Sequence, residues 1–193
     1  VRSGVIELVD GDLFGGVKVN GKSCTFDDVK KYLPPVEPVA VVAVGKNYAG
    51  HAAEFGTPVP EKPLLFLKAM TSVIANGEDI IRPAEAPDML DYEAELAVVI
   101  GTKAKDIAPE DAKDYICGYC CGNDVTDRDC QKGDGQWARG KSVDTFCTLG
   151  SVVALGIDPY DLKIRSILNG EVMQEDNTSN MVFGVYELVS YIS

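Results

Sequence analysis

The sequence predicts a mixed, strand-dominated α+β fold. Three observations lead there. Short apolar or β-branched runs bounded by Gly, Pro and Asn outnumber stretches of helical periodicity. Asn169-Gly170 separates two such runs, and Asn-Gly suits the type I′ turn of a tight hairpin. From Asp91 onward the chain alternates. Asp91, Glu93 and Glu95 take odd positions, while Tyr92, Ala94, Leu96, Val98 and Ile100 take even ones. Successive side chains of a strand point to opposite faces, so one face is apolar and the other carries carboxylates.

In chain order, residues 5–9 and 17–19 read as short strands between Gly-rich turns. Thr25 caps a short helix through Asp28 and Val29, and Pro34-Pro35 then punctuates the chain. Residues 1–36 are therefore expected to form a small β-rich appendage, with the main domain over 37–193. Residues 39–44 read as a buried strand. Gly45-Lys46-Asn47-Tyr48 follows, then a helix over about 49–55. Residues 64–68 are a further strand, with a loop after them to Ile80-Ile81. Asp88 leads into the acidic strand. Pro109 opens a short helix to about Tyr115, and 116–121 is a strand running into the polar stretch 122–131. Residues 132–140, polar and Gly-rich, read as a surface loop. Residues 164–168 and 171–174 form the hairpin around Asn169-Gly170, and 185–192 is a helix.

The totals bound the function. A length of 193 residues fits one domain with a small appendage. Eighteen basic against 30 acidic residues give a net charge of −12, which argues against nucleic acid or anionic membrane as a partner. No apolar run approaches the ~20 residues that span a bilayer. No secretory signal is read at the N-terminus, and the start at Val1 is expected to reflect processing or trimming. A cytoplasmic location is expected, with a mitochondrial one also open. Cys117, Cys120 and Cys121 invite a zinc reading, but Cys130 and Cys147 are not a second close pair, and His51 is distant in sequence. Buried free thiols are the expectation for most of the six cysteines.

Glu93 and Glu95 would stand about 6.6 Å apart along a strand. Like charges so close repel unless water or a cation neutralises them. An acidic strand face is most often simply solvated, but a hard divalent cation with a preference for oxygen is the natural partner for these two. His51 and Glu54, at i and i+3 on a short helix, share one face and reach each other. An imidazole titrates near neutral pH and can act as a general base.

Four segments together resemble the fumarylacetoacetate hydrolase family, in particular its acylpyruvate hydrolase and oxaloacetate decarboxylase-like branch. They are Gly45-Lys46-Asn47-Tyr48 with His51 and Glu54, then Asp91-Tyr92-Glu93-Ala94-Glu95-Leu96, then Asn123-Asp124-Val125-Thr126 with Arg128 and Gln131, and last Gly140-Lys141-Ser142. The resemblance implies a mixed β-roll, a homodimer and one divalent metal per site. It implies Glu93, Glu95 and Asp124 as ligands of Mg²⁺ or Mn²⁺, with Ca²⁺ as a possible substitute. Three carboxylates suit those ions better than zinc. It also implies that Glu54 orients His51 as a base toward water, and that Lys141 stabilises an enolate or carboxylate oxygen. Arg128 and Gln131 are expected to face the substrate or support the site, with Lys46 and Asn47 shaping the same pocket.

The implied activity is hydrolytic C–C cleavage of 2,4-diketo acids through a pyruvate enolate. Oxaloacetate decarboxylation, tautomerisation or hydration on the same scaffold are the alternatives, and the substrate is a small anionic 2-keto acid. Asp127 stands where the family usually has a small residue; it would pair with Arg128 or Lys132, or perturb the pocket. The chain ends at Ser193, before the Pro-Gly-Asp turn and Gly-Thr-Pro segment that family members carry. Trimming, another chain completing the sheet, or an inactive homologue serving as a structural subunit would each account for that end.

Overall fold

Asn169 and Gly170 both adopt positive φ, 54° and 88°, as a type I′ turn requires. The hairpin they close is longer than its apolar pattern indicated. Strands β11 (Lys163–Leu168) and β12 (Glu171–Asn177) pair antiparallel, with a register shift between Ser166 and Ile167. The computed structural model describes residues 4–54, 56, 58–84 and 89–193. Phe55, at the expected end of the first helix, and Asp88, ahead of the acidic strand, lie outside the described residues.

A second hairpin leads the chain. Strands β1 (Val5–Asp12) and β2 (Gly16–Thr25) extend well past the short runs read from sequence. Thr25 then caps a 3₁₀ turn, Phe26–Asp28, with the Asp28 carboxylate accepting from Thr25 N and Oγ1, both at 2.8 Å. Strand β3 (Val41–Gly45) pairs with β4 (Leu64–Lys68), and α1 (Ala49–Glu54) lies between them in sequence.

The acidic strand is broken. Strand β6 (Leu90–Asp91) pairs with β9 (Thr126–Asp127), whereas β7 (Ala94–Ile100) pairs with β8 (Ile116–Asp124). Tyr92 and Glu93 bridge the two pairings. The four-stranded sheet runs β5 (Val73–Ile74), β10 (Cys147–Leu149), β8, β7; only the β5–β10 pairing is parallel.

This sheet is covered on both faces. On one, Tyr119, Leu96 and Val98 pack against Val185 and Val189 of α4 (Val185–Ile192) and Ala112 of the 3₁₀ helix Pro109–Tyr115. On the other, Val99, Cys120 and Leu149 pack with Ala97, Val73 and Val153. Two covered faces explain why polar residues vanish from the alternation after Glu95. Residues 132–140 are not the loop that their polarity indicated. Helix α2 (Arg128–Gly133) and α3 (Ala138–Lys141) occupy most of them, with a turn between. Gly140 allows this packing: a Cβ there would lie 2.6 Å from Asp127 O and 2.8 Å from Gln131 N.

The cysteines are all free, but only Cys120 and Cys147 are buried; Cys121 is exposed and the rest are intermediate. No helix among the described residues is long and apolar enough to cross a membrane.

Candidate active site

Strand pairing creates the acidic centre. Glu93 and Asp124 face each other across the β7–β8 ladder, where Asp124 N donates to Glu93 O at 3.0 Å. Glu95 lies two residues further on the same face, opposite Gly122. The break before β7 turns Asp91 away. Its carboxylate instead accepts from Arg128 Nε at 2.7 Å, which makes Asp91 a support for that arginine.

Three buried cations meet these carboxylates. Lys141 Nζ, delivered by the end of α3, stands 2.6 Å from both Glu93 Oε2 and Asp124 Oδ2. The same ammonium lies 5.1 Å from the Phe66 ring centre. Arg128, at the start of α2, donates through Nη2 to Glu93 at 2.5 Å and through Nη1 to Gln131 Oε1 at 3.0 Å. Its fork is thus engaged by Asp91, Glu93 and Gln131. Lys68 completes the set, with Nζ on Asp124 Oδ1 and on the backbone oxygen of Lys141. Lys68 is not among the site residues that the sequence indicates. The run Leu64-Leu65-Phe66-Leu67-Lys68 reads as an apolar strand with a charged end, and only the fold shows that this end is buried.

His51 and Glu54 do meet. Glu54 Oε2 lies 3.2 Å from His51 Nδ1, and Glu93 Oε1 lies 3.6 Å from Nε2, an ionic contact longer than a hydrogen bond. The Glu93 carboxylate raises the imidazole pKa above its ordinary value; burial opposes this, and Glu54 reinforces it. Burial alone would raise Glu93 as well. His51, Lys141 and Arg128 outweigh it and hold that carboxyl well below the usual range.

A cavity of about 1060 Å³ opens onto these groups. Lys46 lines it from a left-handed backbone, φ 60°, a conformation that costs a non-glycine residue about 1–2 kcal/mol. Asn47 also lines it, but its amide is engaged elsewhere: Nδ2 donates to Phe183 O at 3.0 Å, and Oδ1 accepts from Phe183 N at 2.9 Å. Asp127 pairs with neither Arg128 nor Lys132. It caps α2, accepting from Cys130 N at 2.9 Å, which explains a carboxylate where a small residue was expected. Trp137 and Phe66, edge to face at 5.5 Å, form one wall. Tyr48 is a further wall residue beyond those expected. Its hydroxyl is buried without a hydrogen-bond partner among the described residues, and burial with the charges of Glu95 and Asp176 pushes its pKa up to about 12.

The donor set fits a hard divalent cation. Glu95 makes no ion pair among the described residues. Burial and the charges of Glu93 and Asp124 push its carboxyl up to about 8, the condition that a nearby dication would reverse. Among the described residues no three acidic, His or Cys side chains are already arranged to hold a metal, and the Lys141 ammonium occupies the space between Glu93 and Asp124.

Fold and site together define a β-rich domain with a carboxylate-floored cavity and a His–Glu pair at its wall. The chain belongs to the fumarylacetoacetate hydrolase family: the family's C-terminal domain, described as Fumarylacetoacetate (FAA) hydrolase C-terminal, matches residues 40–193. An uncharacterized protein of Archaeoglobus fulgidus is 46% identical over 185 residues, covering 93% of this chain and 74% of that protein. The mitochondrial oxaloacetate tautomerase FAHD2A of Bos taurus is 43% identical over 168 residues. That match covers 84% of this chain and 53% of the tautomerase, so the chain spans about half of its length. The crystal structure of 2-hydroxyhepta-2,4-diene-1,7-dioate isomerase from Mycobacterium marinum superposes with a TM-score of 0.88 at 39% identity, covering 98% of this chain and 70% of the isomerase.

Proposed function

We propose that this site enolises small anionic 2-oxo acids with the help of a divalent metal, and that keto–enol tautomerisation of oxaloacetate-like acids is its leading reaction. The carrying observation is the placement of His51. Glu54 engages Nδ1, which leaves Nε2 directed at the carboxylate centre. The names of the bovine tautomerase and the mycobacterial isomerase support an enol chemistry over a purely hydrolytic one.

Glu93, Glu95 and Asp124 would hold Mg²⁺ or Mn²⁺, with Lys141 yielding its position between them. Such an ion supplies positive charge beside the 2-oxo group while an enolate develops. His51 Nε2 takes the proton from C3, the C–H electrons form the C2–C3 double bond, and the carbonyl electrons move to oxygen. Lys141 stabilises the resulting negative oxygen. Protonation of that oxygen gives the enol; in the reverse direction the enol hydroxyl loses its proton and His51 returns one to C3, giving the keto acid. Arg128 and Lys68 hold Glu93 and Asp124 in place, and the Trp137–Phe66 wall limits water.

Hydrolytic cleavage of 2,4-diketo acids is the second reading. One observation favours it: at about 1060 Å³ the cavity has room for a longer acid and an attacking water held by His51. Stopped-flow decay of enol-oxaloacetate absorbance, with Mg²⁺, Mn²⁺ or chelator, tests the leading reading. The metal-loaded chain is expected to accelerate the decay, and His51→Ala to abolish the acceleration. No acceleration with either metal overturns it, and pyruvate release from acylpyruvates under the same conditions would favour the second.

A further inference from the structure

Three carboxylates floor the cavity, and two of them are held. Glu93 meets Lys141, Arg128 and His51, and Asp124 meets Lys141 and Lys68. Glu95 has no such partner. Its carboxylate makes neither an ion pair nor a hydrogen bond among the described residues. A carboxylate drawn out of water without a donor is costly to hold charged.

A matching donor lies in the same cavity. Two buried side-chain oxygens lack a partner among the described residues, those of Thr148 and Tyr48. Thr148 stands on β10 and does not line the cavity, whereas Tyr48 lines it together with Glu95. The Tyr48 hydroxyl is closed to solvent, so water does not satisfy it, and an unmade hydrogen bond in such a place is costly. Its backbone is pinned: Tyr48 bridges Met181, and the preceding Asn47 clamps Phe183. A partner must therefore come to the hydroxyl. After burial, the charge of Glu95 acts on it most strongly, ahead of that of Asp176. Asp176 is already engaged, its Oδ1 accepting from Asn177 N and from Asn180 Nδ2, each at 2.7 Å. Glu95 is the free carboxylate of the two.

We infer that Tyr48 is the positioning residue of Glu95: its hydroxyl donates to one carboxylate oxygen and leaves the other for the divalent cation. A rotation of the Glu95 side chain makes the bond. One charge-assisted hydrogen bond then satisfies two unmet groups, and a free-standing ligand becomes a directed one. The inference rests on the proposal that Glu93, Glu95 and Asp124 hold the metal, and it adds what orients the one of the three that has no cation of its own.

Tyr48→Phe removes the hydroxyl and nothing else. In the metal-free chain no bond is lost, so the melting temperature is expected to stay or to rise slightly. Calorimetric titration with Mn²⁺ is expected to show an affinity lower by on the order of tenfold or more, as when a ligating side chain loses its hydrogen-bond partner. The rise in melting temperature that Mn²⁺ gives should shrink with it. Oxalate, titrated into the Mn²⁺-saturated proteins, should bind both alike. Unchanged Mn²⁺ affinity in Tyr48→Phe overturns the inference and leaves the enolising reading intact. Weaker oxalate binding at unchanged Mn²⁺ affinity does the same, and makes the hydroxyl a donor to the bound anion instead. A lower melting temperature of metal-free Tyr48→Phe marks a merely structural residue and also overturns it. If the parent chain binds no Mn²⁺, the inference and the metal-dependent reading fall together.

Discussion

At the scale of single residues the site is a set of charges that fix one another's protonation. His51 shows the sign. Its imidazolium is stabilised by Glu93 and Glu54, so its pKa lies above the ordinary 6.5. The stability this contributes is complete below the unfolded value and is lost as pH rises through the folded one. Catalysis runs the other way, because the neutral ring is the base. In the metal-free chain the titration midpoint of the ring is therefore expected above 6.5, and the acidic limb of kcat/KM reports the same proton. Glu54→Gln removes one of the two carboxylates that raise the ring. The midpoint should move down, and kcat should fall because Nδ1 keeps a weaker orienting partner. A pH–rate profile of both proteins checks this; a midpoint that stays in place would show that Glu54 does not act on His51. The pair itself was legible in the sequence, since i, i+3 spacing on a short helix is local. The contact between His51 and Glu93 was not, because it joins α1 to the start of β7 across 42 positions of chain.

At the scale of elements, local chemistry and tertiary packing divide the legible from the illegible. The Asn169-Gly170 hairpin, the 64–68 strand and the terminal helix follow from turn chemistry and periodicity within a few residues. The break in the acidic strand does not. Asp91 pairs through β6 with β9 while Glu95 pairs through β7 with β8, and alternation alone cannot reveal a change of partner strand. Helix α2 is hidden for a related reason. Its polar, Gly-containing sequence resembles a loop, but Asp127 supplies a cap at its N-terminus. Asp127→Ala should cost about 1 kcal/mol by urea unfolding, as the loss of a capping acceptor does. Asp127→Asn should restore most of it, since the amide oxygen also accepts from Cys130 N. If both substitutions cost the same, the charge of Asp127 matters more than its cap.

At the scale of the whole molecule, the cavity is held by a contact between distant parts of the chain. Asn47 follows the strained Lys46, and its amide clamps Phe183 N and O, 136 positions away. The same junction carries Val182 N on Asn47 O at 2.7 Å and a bridge between Tyr48 and Met181. Phe183 and Gly184 lead directly into α4, which covers the sheet that presents Glu95 and Asp124. The expectation that Asn47 shapes the pocket therefore gains a second element: it ties the wall that carries Lys46 and His51 to the helix behind the carboxylates. Asn47→Ala leaves both Phe183 backbone groups without their side-chain partner in a half-buried place. The expected cost is about 1–3 kcal/mol for each group that stays unpaired. Hydrogen exchange reads the consequence by position: Phe183 N–H should lose protection first, with faster exchange spreading to Val182 and to residues 46–48. Asn47→Asp keeps an acceptor for Phe183 N but removes the donor to Phe183 O, so it should protect the former amide and still lose stability. Unchanged exchange at Phe183 in Asn47→Ala would mean that α4 and the cavity wall are held together by other contacts.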